Sequence, residues 1–563
     1  MSGRKLRLVL CWHMHQPEYR DRQTGKFMLP WTYLHVIKDY VDMAAHLEMV
    51  PSAKAVVNFA PILLEQIEDY HHQVKHFLLE HSDIKDPLLA ALVDDSVPAD
   101  IVARQKLIDK CKRANRERQI NRYPLYARLV DMADWLEQRP DGVGYINEQF
   151  FFDLLVWYHL AWLGETVKLQ DSRARRLIEK GTQFTHADRI ELIEIIHEQL
   201  QGVVGRYKAL ADEGRIELSV TPYAHPIMPL MLDIKTAREA MPDAKLPELE
   251  VYPGGENRVK WHLQKGIETF QRFFAFKPSG CWPSEGSVST RTLEILTEFG
   301  FKWVASGGSV LHNSLHGQGM DSEPVHRPFK IDSSDIACFF RDDGLSDLIG
   351  FEYSKWHADD AVADLINHLE NISAQATENT VVSIIMDGEN AWEYFPENGY
   401  YFLSALYRRL SEHPSIELTT FSDCLASGEV AVKNLPRLVS GSWVYGTFST
   451  WIGSADKNRG WEMLGDVKRA FDKAVSSGRL NEQAIADAEY QLAVCEGSDW
   501  FWWFGDYNPG EAVSDFEKQY RMNLTNLYRL LGEEPPAYLG STFTYGNGTP
   551  ALGGAMRRSK KNS

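Results

Sequence analysis

No run of apolar residues in this 563-residue chain approaches the roughly 20 that a membrane-spanning helix needs. No membrane partner is therefore expected. Positive charge is also short: 60 Lys and Arg against 78 Asp and Glu leave a net charge of −18. That balance excludes the basic face a nucleic acid requires and mainly serves solubility. Cysteine is scarce and scattered, with six residues (Cys11, Cys111, Cys281, Cys338, Cys424, Cys495) and no CxxC pair. A disulfide framework is excluded, and Cys11, Cys281 and Cys338 sit in apolar strand-like runs as buried free thiols do. A reduced cytoplasm is the expected location. The N-terminal apolar run, Leu8 to Trp12 behind Arg4, Lys5 and Arg7, is too short for a signal-peptide core, so export is not expected. There is no internal repeat. No loop has EF-hand spacing, so a structural Ca²⁺ is not indicated, and no cofactor is required by any motif. Nothing in the sequence speaks to oligomeric state.

What is present is an ordinary globular composition, 44% hydrophobic and 25% charged, with an unusual supply of aromatic rings: 12%, including 16 Trp and 23 Tyr. Most of these rings are expected in the core. The length exceeds one ordinary compact core, but a barrel with insertions absorbs it.

Strand-like runs occur at 6–11, 53–59, 214–220, 279–282, 302–305, 336–340 and 381–386, with helical segments between several of them. Such alternation predicts an α/β architecture with a mainly parallel sheet, and polar residues straight after the strands point to a closed barrel with its site at the strand C-termini. Residues 62–213 are helical and charged, broken near Pro87, Pro98, Pro124 and Pro140, and are read as an insertion into the barrel domain of 1–430. Beyond it, 431–539 is predicted as a C-terminal helical domain, and the Gly/Thr/Ser-rich 540–563 as a mobile tail.

Two acids end such runs. Glu285 follows Cys281-Trp-Pro-Ser, and Asp387 closes Val381-Val-Ser-Ile-Ile-Met before Gly388. A carboxylate beside glycine and tryptophan at a strand end is what a barrel enzyme shows at its catalytic end. Paired carboxylates against aromatic surface suit sugar chemistry: one is the nucleophile, the other the general acid and then base. Glu389 and Glu393 are nearby competitors for the second role. His13 and His15, in Trp12-His-Met-His-Gln-Pro17, fall on one side of a strand by alternation, as hydrogen-bond donors or as metal ligands. Glu217 lies inside an apolar run and needs either a role or a salt bridge; His225 follows on a proline-stiffened loop. Asp499-Trp500-Phe-Trp-Trp-Phe504 is a dense aromatic patch, mostly destined for burial, with Asp499 and Trp500 able to reach a groove.

These motifs, in this order, resemble glycoside hydrolase family 57, specifically its amylopullulanase and α-amylase-like branch. The resemblance covers His13–Pro17, Gly214–His225, Cys281–Ser289, Met386–Trp392 and Trp443–Gly453, with support at Arg341–Trp356 and Glu496–Gly505. It implies an incomplete (β/α)7 barrel followed by a helical domain, and a retaining mechanism on α-glucans. By motif Glu285 matches the nucleophile and Asp387 the acid/base, while His13, His15, Glu217, His225, Trp282, Trp392, Asp499 and Trp500 are carried over as substrate-site residues. Trp303-Val-Ala-Ser-Gly-Gly308 departs from the more acidic ending of many relatives. A retaining pair stands about 5–5.5 Å apart. Hydrolysis, 4-α-glucanotransfer and branching are all compatible with such a site, as are α-1,4 and α-1,6 linkages. The rival readings are a metal-dependent amidohydrolase or deacetylase using His13, His15 and Asp387, and a non-catalytic glucan-binding protein.

Overall fold

In the computed structural model, which describes residues 6–320, 323–376, 379–548 and 555–558, seven parallel strands curl into a barrel. They are β1 (Leu6–Met14), β2 (Ala55–Phe59), β3 (Ile216–Val220), β4 (Gly280–Cys281), β5 (Trp303–Ser306), β6 (Ser334–Phe340) and β7 (Val381–Asp387). Each lies on a run that the sequence marks as a strand. β1 pairs with β7 on one side and β2 on the other, and pairing continues through β3, β4, β5 and β6. Between β6 and β7 the ring closes on a single bridge, Arg341 to Ser383. Asp342 N donates to Ser383 O at 2.8 Å and Arg341 Nε to Ile385 O at 2.8 Å, so side chain replaces ladder at that seam. The barrel is thus incomplete, and the arrangement is the (β/α)7 type.

Alternation along the strands divides the core in two. Val9, Cys11, Val56, Trp303, Ala305, Ala337, Phe339, Val381 and Ile385 point inward and form one cluster with Trp282 above and Phe421 and Cys424 below. The opposite faces join the larger cluster beneath the surrounding helices. All six cysteines are free and buried. No helix among the described residues is long and apolar enough to cross a membrane.

The insertion between β2 and β3 runs from helix Pro61–Glu80 to helix His186–Asp212. Pro61, Pro87 and Pro124 open helices, at the position where a missing N–H costs nothing. Helix Glu148–Trp162, the most apolar part, is almost wholly buried. After the barrel come helices Ala455–Ser476, Glu482–Cys495, Ser498–Trp503 and Gly510–Leu530. They are tied back by Glu496, buried against Arg258 (2.8 Å), His262 (2.8 Å) and Tyr252 (2.6 Å).

Of the stretch 540–563, residues 540–548 and 555–558 are described, and they contact the C-terminal helices. Thr544 accepts from Gly505 N at 3.0 Å and donates to Asp456 at 2.7 Å, while Phe543 packs on Phe504. Arg557 is bonded to the helices around Trp502.

Candidate active site

The inward row of each strand changes from apolar at the floor to polar at the C-terminal mouth. β1 and β7 run in register with His13 opposite Asp387, so the parity that buries Val9, Cys11 and Ile385 aims both side chains into the mouth. On β2 the same parity places Asn58 above Val56. Glu217 shares it on β3 but lies at the other end of the barrel. Its carboxylate accepts from Trp303 Nε1 at 2.6 Å and from Ser422 N at 3.0 Å, holding the Phe421–Ala426 helix across the floor. Neutral donors, not the expected salt bridge, hold it there, and it does not line the mouth.

Glu285 sits on a strained turn. Its φ of 58° lies in the left-handed region, as does that of His225 at 60°, an arrangement costing about 1–3 kcal/mol per residue that clusters at functional sites. Gly286 follows with φ 58°, and a Cβ there would meet the Trp282 ring at 2.8 Å. The turn is fastened from a distance: Val288 bridges Gly441, Trp443 N donates to Glu285 O at 3.0 Å, and Trp443 Nε1 to Oε2 at 3.0 Å.

Three imidazoles stand beside it. His13 Nδ1–H donates to Asn58 Oδ1 at 2.7 Å, leaving Nε2 to accept from His225 Nε2–H at 3.2 Å. His225 Nδ1 then accepts the Ser498 hydroxyl at 2.7 Å. His15 Nε2 donates to Asp499 at 2.9 Å. Burial and the neighbouring His15 hold His13 down to about 3, and the same causes hold His225 well below the usual histidine range. Both are neutral hydrogen-bonding groups at physiological pH.

Ligand atoms of His13, His15 and His225 lie within 4.8 Å of one another, close enough to share an ion. The ring planes, however, are within 15–17° of parallel, and His15 stacks on His225 at 3.8 Å. In-plane lone pairs on stacked rings do not converge on one point, so this geometry fits a hydrogen-bonded stack better than a ligand set. Asp387 is not part of that group, which disfavours the amidohydrolase set of His13, His15 and Asp387.

His13, His15, His225, Glu285, Asp387 and Asp499 all line one cavity of about 580 Å³. Glu389 and Glu393 also reach it, but Glu389 is almost fully buried and bonded to Gln16. Trp282, Trp392 and Trp500 do not line it: all three are at most 1% exposed, Trp392 donating to Gly388 O and Trp500 to Val494 O. The aromatic rings that line the space are Tyr19, Trp31, Trp162, Tyr394, Trp443, Trp502, Trp503 and Phe516. Overhead, Arg113 of the insertion pairs with Asp515 (3.0 Å) and Glu511 of the last long helix. Sequence reasoning missed Asn58, Ser498 and Asn390. Asn58, a lone amide within an apolar strand, carried a usable signal; Ser498 carried none.

Residues 9–438 match glycosyl hydrolase family 57. The chain belongs to that family. It is a glycoside hydrolase by descent, and solved structures share its fold. A family 57 branching enzyme from Pyrococcus horikoshii is 16% identical, covering 93% of this chain and 89% of that one, with a TM-score of 0.56. The α-amylase AmyC of Thermotoga maritima is 13% identical over 94% and 93%, with a TM-score of 0.57. A 4-α-glucanotransferase from Thermococcus litoralis is 14% identical over 93% and 60%, with a TM-score of 0.51. No curated protein matches the chain by sequence.

In this family 57 site the two carboxyls are held above the usual range. Burial, then the charges of Asp499 and Asp387, push Glu285 up to about 8, against the Trp443 indole N–H that favours its anion. Burial pushes Asp387 up to about 6, opposed by the amide of Asn390 and by His15. The larger rise falls on Glu285, so of the two carboxyls Glu285 holds its proton more tightly than Asp387. With Glu285 as nucleophile and Asp387 as acid, the roles proposed below, the singly protonated pair is the active form, and the fraction carrying the proton on Asp387 reacts. A bell-shaped kcat/KM is therefore expected, with limbs near 6 and 8 that belong to the pair. Below the acid limb both carboxyls are protonated and no nucleophile exists; above the alkaline limb both are ionised and no proton reaches the leaving oxygen. A flat profile across both limbs would contradict this.

Proposed function

We propose that the protein is a retaining α-glucan-active glycoside hydrolase in which Glu285 attacks the anomeric carbon and Asp387 protonates the departing glycosidic oxygen. The observation that carries the reading is the meeting of these two buried carboxyls in one aromatic-lined cavity, beside neutral histidines suited to sugar hydroxyls. His13, His15, His225 and Asp499 bind and orient the sugar, and no metal is needed for either step. The names of the similar structures (branching enzyme, α-amylase, 4-α-glucanotransferase) support an α-glucan substrate. Six buried free thiols support a reducing compartment.

Transfer to a sugar acceptor is the second reading. It is favoured by the size of the cavity, about 580 Å³, which leaves room for an acceptor sugar beside the glycosyl-enzyme. Chromatography after incubation with maltoheptaose, and separately with pullulan, tests both. Shorter maltooligosaccharides, unaffected by EDTA, are the expected products of hydrolysis, and longer ones as well would establish transfer. Lasting loss of activity in EDTA, restored by a metal, would overturn the metal-free assignment.

A further inference from the structure

The space around Asp387 has two arms. The large one holds Glu285 and the histidines; the small one, about 40 Å³, opens past Asp387 between Phe351, Met386, Val444, Trp502 and Met556. Asp387, Trp443, Trp502 and Ala555 border both arms, and Glu285 borders only the large one. At about 10–15 Å³ for each water the small arm admits a few waters and no pyranose. Its far wall is the segment 555–558, which is locked in place. The Arg557 guanidinium lies between the Trp502 ring (4.3 Å) and the Tyr507 ring (4.8 Å). It also donates to Thr450 Oγ1 at 3.1 Å, Trp502 O at 3.3 Å, Tyr507 Oη at 3.3 Å and Asn508 Oδ1 at 3.4 Å. Arg558 pairs with Glu352 and lies 5.2 Å from the Phe351 ring centroid, so the segment joins the C-terminal helices to the loop after β6.

We propose that this segment is a wall of the active site, and that Met556, held by Arg557, controls whether water or a sugar hydroxyl resolves the glycosyl-enzyme. The inference rests on the retaining α-glucan reading. In the second half-reaction Asp387, ionised after giving up its proton, takes the proton of the incoming O–H. The oxygen lone pair forms the new bond to the anomeric carbon, the bond to Glu285 breaks, and its electron pair returns to that carboxylate. A sugar hydroxyl reaches this point only through the large arm, because the small one is too narrow. Water comes through either, and the bore of the small arm sets its share.

The test counts new reducing ends for each maltoheptaose consumed, since hydrolysis creates one and transfer creates none. Met556→Trp fills the arm and is expected to lower that ratio several-fold below the wild type; Met556→Ala widens it and is expected to raise the ratio towards its ceiling of one. Arg557→Ala, which releases the wall, follows Met556→Ala. Equal ratios in all four proteins, with maltoheptaose consumed, would overturn the inference and leave the α-glucan reading standing. No consumption by the wild type would overturn that reading and this inference with it.

Discussion

Glu285→Gln is expected to lose turnover on maltoheptaose by several orders of magnitude while remaining folded. The nucleophile makes the bond that replaces the glycosidic bond, and an amide at the same place cannot carry the developing ester. The turn itself survives, because its backbone is held by Trp443 N and Val288, not by the carboxyl. Stability supplies an independent sign. The native carboxyl is held up to about 8, so the wild type is favoured at low pH and loses stability as pH rises through that value. Glutamine pays no such ionisation cost. The variant should melt at or above the wild-type temperature, with the margin growing from about pH 4.5 and levelling off above about 8. Azide offers a chemical check with an activated α-glycosyl substrate and the truncated variant Glu285→Ala: attack from the face that the side chain vacates gives the β-glycosyl azide. Near-normal turnover in the variant would remove Glu285 from the mechanism.

Asp387→Asn is expected to lose about 10²–10⁴-fold on maltoheptaose, the usual worth of a positioned acid and base. The loss should shrink for substrates whose leaving group departs without a proton. For these the first step proceeds and the glycosyl-enzyme accumulates, since no base is left to activate water. Azide, which needs no base, should then restore turnover and give the α-glycosyl azide, the opposite anomer from the Glu285 variant. Asn390, which donates to Asp387 at 2.9 Å, remains to hold the new amide in place. The opposed stereochemistry separates the two roles in a way that loss of activity alone does not. The same anomer from both variants would contradict the assignment.

Local pattern carried the barrel. The runs ending at His13 and Asp387 display inward and outward residues at a period of 2, so both the strands and the direction of their last side chains were legible. Glu285 was legible for a different reason: Pro283 before it fixes the backbone direction and Gly286 after it allows close approach, and in the structure Glu285 and Gly286 both have positive φ. Glu217 shows the limit of such reasoning. Its parity is correct, but parity does not say which end of the barrel a residue occupies, and the partners that settle it, Trp303 and Ser422, are 86 and 205 positions away. The tryptophans fail similarly. A ring beside a catalytic acid is as well suited to support it from below, as Trp282 does, as to face a sugar, and only tertiary packing chooses. Trp443, which holds Glu285 from 158 positions away, and Arg557, in a stretch without periodicity, lie beyond local pattern altogether.

The central claim is a retaining displacement through Glu285 and Asp387, and the anomer released first from maltoheptaose tests it most directly. Proton NMR recorded within the first turnovers, before mutarotation, should show the α-anomeric signal of the new reducing end rising ahead of the β signal. A β-anomer appearing first would mean a single inverting displacement and would contradict the account.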